Sequence, residues 1–262
     1  MSATDEVWGE RLLFASAMAG LVVGAWLALG LVGGSPYAGY LDHRVAIDAA
    51  ALPYGVRLAV FVAGWTVMSV AMMLPSSLPL VTVFRTITRR RERPGRDLAL
   101  LVAGYLTMWA LFGVTAFLGD TLIHRLLERA GSTDRAERLV SASVLLTAGL
   151  FQWSALKQSC LRQCRSPIGF LASHWHGGSR WWAAFRLGLR HGLFCVGCCW
   201  GLMVLMFAVG GVNLGWMLAL GAVMFAEKAV SWGRWITAPV GALLTLWAVG
   251  LLVRLPFVPA PF

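Results

Sequence analysis

Long apolar runs dominate the chain and are separated by short polar segments. About 20 consecutive apolar residues are enough to cross the hydrocarbon core of a bilayer as a helix. The runs therefore predict an all-α fold, a polytopic bundle of about seven transmembrane helices. The predicted spans are Leu12–Val32, Leu58–Phe84, Leu98–Leu118, Leu139–Leu156, Leu187–Val209, Leu214–Ala229 and Trp235–Val253.

The fifth and sixth predicted spans share one stretch, from His191 to Ala226, that contains no Asp, Glu, Lys or Arg. This stretch is too long for one crossing, and we divide it at the turn signal Gly210-Gly211-Val212-Asn213. Without this division the count is six. The first span follows an acidic start and has no clear small-residue cleavage site, so we expect a retained helix and not a signal peptide.

Composition supports a membrane protein. The chain is 58% hydrophobic and only 13% charged, whereas a soluble domain has about 25% charged residues. Such a sequence cannot cover a water-facing surface. We therefore expect residues 1–262 to form a single transmembrane helical domain.

The net charge of +10 is distributed unevenly along the chain. Basic residues concentrate in residues 85–97 and in residues 157–186, and cytoplasmic segments of membrane proteins are typically basic. We therefore expect both segments, and the N-terminus, to face the cytoplasm. Because the charge lies beside the spans, where anionic headgroups attract it, the bilayer is the expected partner and nucleic acid is not.

Three of the five cysteines lie in one stretch of five residues within the fifth predicted span. His191 and Cys195 are four residues apart and Cys195 and Cys198 three, so their side chains share a helix face, and Cys199 extends it. Thiolates and thioethers favour Cu(I) and related soft metals. The cytosol keeps thiols reduced, which disfavours structural disulfides. The alternative is that these residues only pack between helices.

A second thiol pair, Cys160 and Cys164, follows the fourth predicted span. If that helix continues beyond the membrane surface, both thiols share a face and suit one metal ion. Positive neighbours favour the thiolate form, and Lys157, Arg162 and Arg165 are close in sequence. The same basic segment also contains His174 and His176.

Methionines mark the second predicted span. Met68 and Met72 are four residues apart and share a face, just before Pro75, which we expect to kink the helix. Three methionines within six residues beside a kink are typical of a soft-metal path, and Met72 is the best single candidate among them. The alternative is a methionine-rich packing seam.

Glu227 and Lys228 interrupt the sixth predicted span near its cytoplasmic end. Ionisable groups at membrane depth are costly and are functional candidates, here as a proton or charge site. Adjacent residues do not face each other on a helix, so the two need not pair. The alternative is that both side chains extend to the membrane interface.

Four stretches together match a known pattern. They are Trp65-xx-Met68-xx-Ala71-Met72-Met73-x-Pro75, Lys157-xx-Cys160-Leu-xx-Cys164-Arg165, Gly188-xxx-Gly192-xx-Cys195-x-Gly197-Cys198-Cys199-Trp200, and Gly211-x-Asn213-xx-Trp216-Met217 leading to Glu227-Lys228. This pattern resembles a bacterial family of integral membrane proteins of unknown function that are predicted to bind metal. The resemblance implies metal handling in a bacterial inner membrane, without a named reaction.

The favoured hypothesis is a membrane protein that binds a soft metal, copper above others, for transport, storage or delivery to a protein partner. Cys160, Cys164, Cys195, Cys198, Cys199, Met68, Met72 and His191 are the candidate ligands. The chain has no phosphate-binding loop, covalent haem motif or common hydrolase motif, so binding is favoured over catalysis. Two alternatives stay open: a thiol–disulfide oxidoreductase that uses Cys195/Cys198 and Cys160/Cys164, and a structural subunit.

Overall fold

The computed structural model describes residues 3–33, 53–129, 131, 134–175, 182–208 and 213–253. Across these residues the secondary structure is helical, without a β-strand, which confirms the predicted all-α bundle. The α-helices are α1 (Ala3–Gly33), α2 (Tyr54–Thr88), α3 (Pro94–Arg129), α4 (Asp134–Phe151), α5 (Ala155–Arg165), α6 (Pro167–His174), α7 (Trp182–Ala208), α8 (Leu214–Ala229) and α9 (Thr237–Val253). A short 3-10 helix, Gly233–Trp235, precedes α9.

Five of the described helical segments are long and apolar enough to cross a membrane, and the bent pair α4–α5 is a sixth if it is counted as one span. The predicted count of seven spans is larger than the five or six found in the structure, whereas the alternative count of six equals the larger of these two numbers. The difference comes from α8, the predicted span Leu214–Ala229. It has only 16 residues, or about 24 Å of helix, against a hydrocarbon core of about 30 Å.

The sequence analysis made a shared face of Cys160 and Cys164 conditional on continuation of the fourth predicted helix. In the structure that helix is broken, and both cysteines lie on a separate helix. Helix α4 ends at Phe151, and α5 leaves it at an angle of 61°. Ser154 starts the new helix, because its side chain accepts a hydrogen bond from the Lys157 amide at 3.1 Å. Such N-caps satisfy an otherwise unpaired backbone donor. The bend turns α5 towards α7.

Helix α2 contains both Pro75 and Pro79 and runs without interruption through them. The Met73 carbonyl accepts hydrogen bonds from the Ser76 hydroxyl at 2.8 Å and from the Tyr105 hydroxyl of α3 at 3.2 Å. These bonds tie the methionine-bearing part of α2 to α3.

The two basic segments lie at the same end of the bundle. Residues 85–97 comprise the end of α2, a short connection and the start of α3, whereas residues 157–186 include α5, α6 and the start of α7; His176 lies outside the described residues. Trp175 joins the two segments, since its ring contacts Phe84 at 4.9 Å and the Arg91 guanidinium lies 5.4 Å from its centroid.

Helices α3 and α7 pack closely because glycines line their interface. A Cβ on Gly104 would overlap the Phe185 backbone, and a Cβ on Gly188 would overlap the Leu101 carbonyl. Small residues allow helix backbones to approach in this way. The close approach brings Tyr105 of α3 next to the cysteines of α7.

Gly104→Ala should therefore lower the stability of the protein by about 1–3 kcal/mol, the usual cost of overpacking. Gly119→Ala, on the same helix with no neighbour within 4 Å, is the matched control and should leave stability unchanged or slightly raised, because alanine favours helix more than glycine does. Thermal unfolding in detergent, followed by tryptophan fluorescence, measures both. Equal unfolding midpoints for the two variants would contradict the proposed close approach.

Candidate metal centre

Helix α7 carries three cysteines whose side chains are all buried. Cys198 and Cys199 follow Cys195 by three and four residues, so their thiols reach the preceding turn of the helix. There both donate to the Cys195 carbonyl, at 3.0 Å and 2.9 Å. The Cys195 sulfur itself contacts other helices, through Tyr105 and Lys228.

Three sulfur atoms converge in the interior, and we call Cys195, Cys199 and Met73 the sulfur cluster. The Cys199 Sγ lies 3.7 Å from the Met73 Sδ of α2. The Lys228 ammonium of α8 contacts all three, at 3.1 Å from the Cys195 Sγ, 3.4 Å from the Met73 Sδ and 3.7 Å from the Cys199 Sγ. Three helices thus contribute to one buried point.

Tyr105 also contacts the sulfur cluster, and it was not among the candidates identified from the sequence. Its hydroxyl lies 3.3 Å from the Cys195 Sγ and also donates to the Met73 carbonyl. Its ring stacks on His191 at a centroid distance of 5.5 Å. Tyr105 therefore fixes the relative positions of α2, α3 and α7 around the sulfur cluster.

The thiol pair of α5, Cys160 and Cys164, lies beside the cysteines of α7. The Cys164 Sγ is 3.8 Å from the Cys198 Sγ, and the Cys160 side chain packs over Gly197, where a Cβ would come within 2.7 Å of its sulfur. Cys164 is partly exposed, whereas Cys198 is 1% exposed. The five thiols thus lie in one region of the bundle, which extends from the partly exposed Cys164 to the buried cluster.

Glu227 and Lys228 point in different directions, as their adjacency on a helix requires. The Glu227 Oε2 accepts a hydrogen bond from the Lys157 Nζ at 2.7 Å, and both side chains are at most 1% exposed. Among the described residues the Glu227 Oε1 has no hydrogen-bond partner. The alternative of two side chains at the membrane interface is thus wrong, because both are buried.

The end of α8 is held by Arg165. Its guanidinium donates to the Glu227 carbonyl at 2.5 Å and to the Ser231 carbonyl at 2.8 Å. Arg165 and Lys157 therefore both bind α8. From the sequence, these two cations were expected to favour the thiolate forms of Cys160 and Cys164.

The other sequence-based candidates lie near the sulfur cluster but have different neighbours. The Met72 side chain faces Gly221 of α8, where an added Cβ would lie 3.7 Å from it, and Met68 is buried in the core one turn away. The His191 Nε2 lies 3.2 Å from the Ser77 hydroxyl, and its Nδ1 has no hydrogen-bond partner among the described residues. The thioether that contacts the thiols is thus that of Met73.

The donor set fits a soft metal ion. Within the described ranges, no group of three or more His, Cys, Asp or Glu side chains is arranged to hold a metal. The sulfur cluster has two thiols and a thioether, and such donors favour Cu(I) over the oxygen-preferring cations.

Taken together, the fold and this site define a helical protein with a buried group of soft sulfur donors. Residues 62–251 match the PpoB2 family, which is described as copper chaperone. The match covers more than half of the chain, so the chain belongs to this copper chaperone family. The expected copper-related function is thereby supported. No curated protein and no solved structure matches the chain.

The Lys157–Glu227 pair predicts a specific pattern of stability. Lys157→Met or Glu227→Met alone should lower the free energy of unfolding by about 3–5 kcal/mol, because each leaves an uncompensated buried charge. The double variant should be more stable than either single one, since two apolar side chains then face each other. Unfolding midpoints in detergent test this, and losses that simply add would contradict the pairing.

Proposed function

We propose that the protein is an integral membrane copper chaperone that binds Cu(I) at the sulfur cluster and delivers it to a partner protein. The convergence of Cys195, Cys199 and Met73 on one buried point carries this proposal. Membership of a copper chaperone family supports copper as the cargo. The sulfur donors of this buried site favour Cu(I) over hard cations.

We propose that Cu(I) enters through Cys164. This thiol is the partly exposed member of the group, and its 3.8 Å contact with Cys198 leads towards the interior. Cys198 and Cys199 are adjacent and both bond to the same carbonyl. Copper would move by ligand exchange: a new Cu–S bond forms as the previous one breaks, and the incoming thiol loses its proton as the outgoing thiolate takes one up. The ion is never released and its oxidation state does not change. The reverse order delivers it.

The contacts between the basic segments support a cytoplasmic location for this entrance. Arg91 on Trp175 links the two segments, and Arg85 lies 4.7 Å from the ring centroid of Phe14 in α1. Because basic segments are typically cytoplasmic, the N-terminal part of α1 and α5 would share that side. We propose a bacterial inner membrane as the location, with residues 1–262 as one transmembrane domain.

A thiol–disulfide oxidoreductase remains the second candidate, because the Cys164 and Cys198 sulfurs lie 3.8 Å apart. The Cys195–Cys198 pair supports it less, since the Cys198 thiol bonds to the Cys195 carbonyl. A Cys164–Cys198 disulfide in protein purified without reductant and without bound copper would favour the redox function.

Wild-type protein from copper-replete cells should contain near-stoichiometric copper, and Cys195→Ser with Cys199→Ser should remove it because both thiolates are lost. Elemental analysis of the purified proteins is the measurement. Cys160→Ser with Cys164→Ser is the matched control: it should slow loading while the final copper content stays close to that of the wild type. Metal-free wild-type protein would refute the proposed function.

Substitution of two neighbouring methionines, Met73 and Met72, distinguishes a copper ligand from a packing residue. Met73→Leu should weaken Cu(I) binding by about tenfold, or about 1.4 kcal/mol, because the thioether of the sulfur cluster is lost. Met72→Leu makes the same change one residue away, where the side chain packs on Gly221, and should leave the affinity unchanged. Competition with a chromogenic Cu(I) chelator measures both, and equal effects would argue against Met73 as the ligand.

A further inference from the structure

The ammonium group of Lys228 has an unusual environment. It is buried, and the hydrogen bonds that the structure shows for its Nζ all go to sulfur atoms of the sulfur cluster. The neighbouring carboxylate of Glu227 is directed to Lys157 instead. Among the described residues, the nearby carboxylate is thus paired with another lysine, and the polar contacts of the Lys228 ammonium are to sulfur.

A buried ammonium requires an anionic partner, because an unpaired charge in an apolar interior is strongly unfavourable. Cys195 is the best placed to be that partner. Its Sγ accepts from the Lys228 Nζ at 3.1 Å and also lies 3.3 Å from the Tyr105 hydroxyl. A hydrogen bond from an ammonium group is charge-assisted, and such a bond stabilises the thiolate form of the accepting sulfur.

We propose that Lys228 is the fixed counter-ion of the metal site and makes it selective for a monovalent metal ion. This inference rests on the proposed function. Two thiolates with Cu(I) carry one net negative charge, which the ammonium neutralises. With a divalent ion such as Zn(II) or Cd(II) the two thiolates are already neutral, and the ammonium then leaves one uncompensated positive charge in the interior.

The sulfur donors alone do not give this discrimination. Thiolates also bind Zn(II), commonly in sites with four ligands, and Cd(II) is a soft ion that binds thiolates as well. The buried positive charge adds a penalty that grows with the charge of the metal ion, since like charges at short distance in an apolar medium repel strongly. Selectivity would thus come from a side chain that is not itself a ligand.

The test compares full-length wild-type protein with Lys228→Leu and Lys228→Arg. Binding of Cu(I) and of Cd(II) is measured separately by competition with chelators of known affinity. Lys228→Leu keeps an apolar stem and removes the charge without adding a metal ligand. It should lower the ratio of Cu(I) to Cd(II) affinity by about tenfold or more, which corresponds to about 1.4 kcal/mol. Lys228→Arg keeps the charge and should retain a ratio close to that of the wild type.

The ratio separates electrostatics from structure, because a purely structural role of Lys228 would weaken both metals equally. An unchanged ratio in Lys228→Leu would overturn the counter-ion role. If Lys228→Leu does not fold, Lys228→Gln, which is neutral and polar, decides by the same ratio. Absence of Cu(I) binding to the wild type would instead refute the proposed function, so the two failures are distinguishable.

Discussion

The structure depends on how two adjacent ionisable side chains of α8 are accommodated in an apolar interior. Glu227 is paired with Lys157 of α5, and Lys228 is directed at sulfur atoms of α2 and α7. Because neighbouring residues on a helix point in different directions, each charge requires its own partner on a different side. Helix α8 is thereby held between α5 on one side and the sulfur cluster on the other, and the positions of these helices relative to one another follow.

The sequence allowed the helical bundle and the main group of thiols to be predicted, because both follow from local spacing. Apolar runs of span length indicate membrane helices, and Cys195 and Cys199 share a face through their separation of four residues. The choice of Met72 over Met73 had no such basis. One residue rotates a side chain by about 100° around a helix, so which methionine meets the thiols depends on how α2 is rotated against α7. This rotation is a property of the packed bundle.

Two further features escaped the sequence analysis for different reasons. The break between α4 and α5 contains neither glycine nor proline, and only the capping residue Ser154 marks it. Tyr105 lies alone in an apolar helix, where ring packing explains it equally well. A hydroxyl within an apolar span nevertheless requires a hydrogen-bond partner, and this requirement was the available signal. In the structure Cys195 and the Met73 carbonyl meet it.

The depth of the thiols also has a kinetic meaning. Cys195, Cys198 and Cys199 are each 1% exposed, so small thiols in solution have no direct access to an ion held among them. In the proposed function, an ion held among these thiols exchanges with the surroundings through the partly exposed Cys164 or after the helices separate locally. Its residence time is then governed by the opening of the bundle as well as by bond strength, and an acceptor that presents its own ligands at Cys164 makes a tightly retained ion transferable.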